Sequence, residues 1–109
     1  MLKFARHGAH NHLEVQVAAD GLAGFQEACA RRPDIILLDY VMPVHDGLAF
    51  LDLYALEPTL DGVPVILHSI PHPGLIAMIE KDYPMVKAVV RKPITPSQML
   101  QAIEAHLQR

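Results

Sequence analysis

Tryptophan is absent from these 109 residues, cysteine occurs once, and only three tyrosines and three phenylalanines are present. The single cysteine, Cys29, excludes an internal disulfide and suits a reducing compartment. Its spacing from Phe25 puts it on a buried helix face, where a thiol acts as a small apolar group rather than a reagent. No apolar run approaches the ~20 residues that a membrane-crossing helix requires, and Met1-Leu2-Lys3-Phe4 does not open a signal peptide. Net charge is −3 with neutral histidines, and the basic residues are scattered, so a nucleic-acid footprint is lacking. Arg31-Arg32 is an adjacent basic pair, and a helix C-terminus accounts for it. What remains is a cytoplasmic domain over residues 1–109 with one core and neither a nucleic-acid nor a membrane partner.

What is present centres on Asp39. The segment Pro33-Asp34-Ile35-Ile36-Leu37-Leu38-Asp39-Tyr40-Val41-Met42-Pro43 is a continuous aliphatic run, then a carboxylate, then turn chemistry that continues through His45-Asp46-Gly47. A run without alternation reads as a strand buried on both faces. The carboxylate would then stand at the carboxyl end of that strand, where open α/β sheets bind their ligands. Ser69 follows the aliphatic run Val63 to Leu67, and Lys92 follows Val86 to Val90. An acid, a hydroxyl and an amine at three successive strand ends make a candidate site.

Elsewhere, Leu2 to His10 reads as the tail of a helix with Gly8 its weak point. Leu13 to Ala18 alternates as a half-buried strand does. Asp20-Gly21 turns into a helix with Leu22, Phe25, Ala28 and Cys29 on one stripe. Leu48 to Leu56 is expected as a short helix, Asp61-Gly62 as a turn, and Leu75 to about Asp82 as a further helix. Thr95-Pro96-Ser97-Gln98 is a helix start: Thr95 the cap, Pro96 the first helical position, Gln98 reaching back. Leu100, Ile103 and Leu107 would face inward from that last helix. Asp34 and Asp46 read as strand-entry and turn residues. Strands alternating with helices imply an α/β fold with a parallel sheet and right-handed crossovers.

Asp20-Gly21, Leu37-Leu38-Asp39 with Met42-Pro43 and Gly47, Pro64-Val65-Ile66 leading to Ser69, and Lys92-Pro93 occur in this order with helix-length gaps. Together they resemble the receiver domain of two-component response regulators, from about Leu2 to Arg109. The resemblance implies a flavodoxin-like sheet with helices on both faces and Asp39 as phosphoacceptor. It implies that Lys92 pairs with the phosphoryl oxygens and that Ser69 hydrogen-bonds them. The aromatic partner of that switch is replaced by Val89. A sensor histidine kinase or phosphotransfer protein would be the donor and a downstream protein the target. The domain would not be an enzyme, beyond self-catalysed phosphotransfer and dephosphorylation.

The family's first strand ends in an acidic pair that helps to hold Mg²⁺, and the resemblance places that pair ahead of Met1. The sheet is therefore expected to be truncated, with four family strands visible and the central position open. A stability near ~5–15 kcal/mol does not absorb several unpaired buried backbone groups at roughly 1–3 kcal/mol each. Three ways of filling the slot stand open: an inward shift of Leu13 to Ala18, a strand lent by a second copy in a homodimer, or a natural start upstream. The inward shift would bring Asp20 to the site, as a third magnesium ligand beside Asp39 and the Val41 carbonyl.

Three functions follow: a stand-alone phosphate-accepting receiver, a phosphorylation-independent interaction module of the same fold, or a truncated, strand-swapped receiver. His7, His10 and His12 are close in sequence and His68 and His72 lie apart. Their spacing suits solvated side chains better than converging zinc ligands.

Overall fold

The computed structural model describes residues 2–7, 13–18, 20–39, 44–69, 73–91 and 94–106. The strands are β1 (Leu2–His7), β2 (Leu13–Ala18), β3 (Ile35–Asp39), β4 (Val65–Ser69) and β5 (Val86–Arg91). The helices are α1 (Gly21–Ala30), α2 (Val44–Ala55), α3 (Pro73–Asp82) and α4 (Pro96–His106), with a 3₁₀ turn at Pro58–Leu60. One sheet holds all five strands in the order β2-β1-β3-β4-β5. This is a flavodoxin-like α/β architecture, with helices on both faces.

The expected helix tail at the amino end is instead a strand. β1 lies in the central slot, antiparallel both to β2 and to β3. Leu2 stands opposite both Ala18 and Leu38, and Ala5 opposite both Val15 and Ile35. The reason is local alternation combined with a sheet that needs a strand there. Phe4 goes to one apolar cluster and Ala5 to the other, and both are buried. β3–β4 and β4–β5 are parallel, as expected. Because β2 and β3 both oppose β1, they run in the same direction. The carboxyl ends of β2 to β5 therefore share one edge of the sheet, and β1 enters that edge by its amino end.

The two faces are unequally covered. Ala28 of α1, Phe50, Leu51 and Tyr54 of α2, and Ile76 and Ile79 of α3 pack on Phe4, Ile36, Leu38, Val65 and Leu67. On the other face, among the described residues, α4 covers Ala5, Ile35, Leu37 and Ile66 through Ile103, Met99 and Ala102. Two expected stripes are rotated. Leu22 is 60% exposed while Gly21 and Gly24 are buried, because those glycines let α1 approach its neighbours. Leu100 is 46% exposed and Met99 and Ala102 pack in its place; Leu107 lies outside the described residues.

Boundaries follow capping chemistry. Asp20 Oδ1 accepts from the Ala23 N–H at 2.8 Å and starts α1. Thr95 N–H donates to Gln98 Oε1 at 3.0 Å, and Gln98 N–H donates to Thr95 Oγ1 at 3.1 Å, the reciprocal cap expected from the sequence. Residues 44–47, read as a turn, wind into the first turn of α2. Burial of Phe50, Leu51 and Tyr54 outweighs the ~1 kcal/mol that Gly47 costs inside a helix. α3 begins two residues early, with Pro73 at its first position. Gly62 adopts φ 86° at the expected Asp61-Gly62 turn, a conformation that favours glycine. Arg32 serves that turn rather than the end of α1, donating to the Thr59 and Asp61 carbonyls at 3.0 and 2.9 Å.

Candidate functional site

Asp39 is the last residue of β3 and Ser69 the last residue of β4, at the same edge of the sheet. Parallel pairing sets Asp39 opposite His68 and Ser69 opposite Arg91, the final residue of β5. The acid and the hydroxyl are thus one strand apart and one register step apart. Local sequence explains both positions: aliphatic residues fill each strand ahead of the polar residue that ends it. Ile35, Ile36 and Leu38 are fully buried before Asp39, and Val65, Ile66 and Leu67 are buried before Ser69. Lys92, one residue beyond β5, lies outside the described residues, as does Val41.

Asp20 sits at the same edge but two strands away, because β1 separates β2 from β3. At ~4.8 Å per strand spacing, that places it roughly 10 Å to the side of Asp39. The inward shift of β2 that would have closed this distance does not occur. The slot is filled from within the chain by β1. One oxygen of Asp20 is already engaged as the cap of α1.

Two residues near this edge were not singled out from the sequence. Half-buried His68 neighbours Asp39 in register. Its position immediately before Ser69, in a strand adjacent to that of Asp39, was the available signal. Lys3 pairs with Leu37, two positions before Asp39, and becomes relevant only once β1 is known to be a reversed central strand. His10, His12 and His72 lie outside the described residues.

Magnesium needs near-octahedral oxygens, usually with one or two carboxylates among them. Among the described residues no group of three or more His, Cys, Asp or Glu side chains is placed to hold a metal ion. On the β1 side the described strand ends in Lys3 and Leu2, paired with Leu37 and Leu38 and bearing no carboxylate, and Asp20 is spent on a helix cap. The described residues do not fit a magnesium site.

Chemistry elsewhere in the fold is structural. A cavity of about 630 Å³ lies at the opposite edge, lined by Asp52, Tyr54, Asp61, Asp82, Tyr83 and Lys87 among others. Tyr83 Oη donates to Asp52 Oδ1 at 2.7 Å. That bond, with burial and the charges of Asp52 and Asp82 behind it, pushes the Tyr83 phenol up to about 12. Burial, with the negative charge of Glu57, raises the Cys29 thiol, which keeps it protonated and inert. Among the described residues no helix is long and apolar enough to cross a membrane.

Comparison with known proteins agrees with the sheet. The pattern of the response regulator receiver domain matches residues 4–104. Protein-glutamate methylesterase/protein-glutamine glutaminase 1 of Anaeromyxobacter dehalogenans is 38% identical over 82 residues, covering 63% of this chain and 22% of that protein. The chain thus spans about a fifth of the length of such curated relatives. Among solved structures, Vibrio cholerae chemotaxis protein CheY4 superposes with TM-score 0.74 at 23% identity, over 84% of this chain and 76% of that one. The receiver domain of the sensor histidine kinase PA1611 from Pseudomonas aeruginosa, with a magnesium ion coordinated in its active site cleft, gives TM-score 0.65 at 19% identity. That match covers 84% of this chain and 74% of that one.

Proposed function

We propose that this chain, which belongs to the family of response regulator receiver domains, accepts a phosphoryl group on Asp39 and signals through protein–protein contacts. The observation that carries the reading is the pairing of β3 with β4, which sets Asp39 and Ser69 at adjacent carboxyl strand ends. A carboxylate at the end of a packed apolar strand is a held nucleophile. Ser69 would donate a hydrogen bond to the phosphoryl oxygens, and Lys92, following β5, would balance their charge. The donor would be a sensor histidine kinase or a phosphotransfer protein, and the receiver of the signal a downstream protein. Residues 1–109 would act as one cytoplasmic receiver unit. The esterase and glutaminase activities in the relatives' names belong to proteins of which the match covers only 22%, and this unit would carry no such activity.

Incubation with acetyl phosphate, followed by intact-mass measurement, tests the reading. The expected result is a gain of one phosphoryl group that is absent in Asp39→Asn. Persistence of the gain in Asp39→Asn, or no gain in any buffer, would remove Asp39 from this role and leave the phosphorylation-independent module. Exchange of β1 between two copies would be visible as a dimer in sedimentation.

A further inference from the structure

The central strand reaches the site edge by its amino end, and this changes the charge that it brings there. Lys3 stands opposite Leu37 on one side and Val17 on the other. Asp39 lies two residues beyond Leu37, so rise and spacing put the two Cα atoms roughly 8 Å apart. An extended lysine side chain spans most of that gap. By strand alternation Lys3 shares the face of Ala5 and Leu37, and it is half buried there. Its stem has apolar surface to lie along, and a lysine so placed keeps its ammonium toward water. Among the described residues that ammonium has no hydrogen-bond or ion-pair partner. Asp20 lies a strand further off and is occupied as a cap, and on the β1 side Leu2 and Lys3 bring no carboxylate.

We infer that this site holds a phosphoryl-sized anion without a metal ion, with Lys3 supplying positive charge on the β1 side of Asp39. The inference rests on the proposed role of Asp39 and concerns how its phosphoryl group is neutralised. A divalent ion requires several oxygens in fixed geometry, which the reversed strand does not provide. An ammonium requires only proximity, since it acts as a compact point charge. Lys3 would then face the phosphoryl group from the β1 side. With acetyl phosphate, an Asp39 oxygen bonds to phosphorus as the bond from phosphorus to the acetyl oxygen breaks. Acetate leaves with that electron pair.

Two probes test this in buffer stripped of divalent ions by a chelating resin. Titration with MgCl₂ alone, followed by ¹⁵N amide shifts, is expected to give no saturable change at Asp39 or Ser69. Beryllofluoride, which bonds to a carboxylate as a phosphoryl mimic, is expected to bind without magnesium and to shift those same amides. Lys3→Met, which keeps the stem and removes the charge, should weaken that binding about tenfold, and Lys3→Arg should restore most of it. A saturable magnesium shift, beryllofluoride binding that needs magnesium, no binding in either buffer, or unchanged affinity in Lys3→Met each overturns the inference. Thermal unfolding of both variants separates lost charge from lost fold. If acetyl phosphate labels Asp39 only when magnesium is added, the receiver function stands and this inference falls. If beryllofluoride binds in metal-free buffer while acetyl phosphate leaves no phosphoryl group, the reverse holds.

Discussion

Phe4 of the reversed strand meets Phe50 of α2 with ring centroids 6.4 Å apart and planes inclined at 47°. Both side chains are fully buried. The contact ties the strand in the family's central slot to the helix that follows the Asp39 loop. Phe4→Ala is expected to lower unfolding free energy by about 3–5 kcal/mol, the usual result of emptying a core aromatic site. Urea unfolding measures it, and a loss below ~1 kcal/mol would mean that β1 is not an integral strand.

Ser69→Ala should leave stability within about 0.5 kcal/mol, since the residue ends its strand at the edge. It should slow phosphoryl uptake from acetyl phosphate by about tenfold or more, as loss of one aimed donor does. Uptake at the wild-type rate would take Ser69 out of the site.

Tyr83 links pH to stability. Its phenol stands raised to about 12 in the folded chain, chiefly through its bond to Asp52, against the ordinary 10 when unfolded. The folded state therefore holds this proton more firmly, so stability falls as pH rises through that window. The contribution is whole below pH 10 and gone above 12. Urea midpoints between pH 9 and 12 should show the decline in wild type and a shallower one in Tyr83→Phe. Equal slopes would show that Asp52 does not hold the phenol.

Tyr54 is buried, and its hydroxyl donates to the Val63 carbonyl just ahead of β4. Tyr54→Phe leaves that carbonyl without its donor, which costs about 1–3 kcal/mol. The expected signature is a lower unfolding midpoint with an unchanged denaturant slope.

Thr95→Ala removes one half of the reciprocal cap on α4 and should destabilise by about 1 kcal/mol. Thr95→Ser should recover most of that loss. If the alanine variant matches wild type in urea, the cap contributes nothing.

β3 and β4 were legible because both-face burial writes itself as aliphatic runs, β5 because Val86 to Val90 is apolar but for Lys87, and the Thr95 cap because capping needs particular side chains at fixed offsets. Asp39 and Ser69 could be placed at strand ends for the same reason: apolar runs stop at solvent. β1 was not legible. Leu2-Lys3-Phe4-Ala5-Arg6-His7 is too short and too mixed for periodicity to choose a helix or a strand, and the family pattern pointed to a helix. Its assignment depends on a vacancy between β2 and β3 that exists only in three dimensions. The relevance of Lys3 was hidden with it, since strand direction decides which residues of a strand arrive at the site. The rotated stripes of α1 and α4 had a similar cause. Periodicity gives the width of an apolar face, while glycines and neighbouring helices set its final angle.

The place of β1 between β2 and β3 has a consequence for folding order. Its pairing with β2 joins residues 2–7 to residues 13–18, close along the chain. Its second edge is filled only by residues 35–38, across about thirty residues, and closing a longer loop costs more entropy. Phe4 meets Phe50 from farther still. The strand that completes the sheet is thus secured by the chain's more distant contacts.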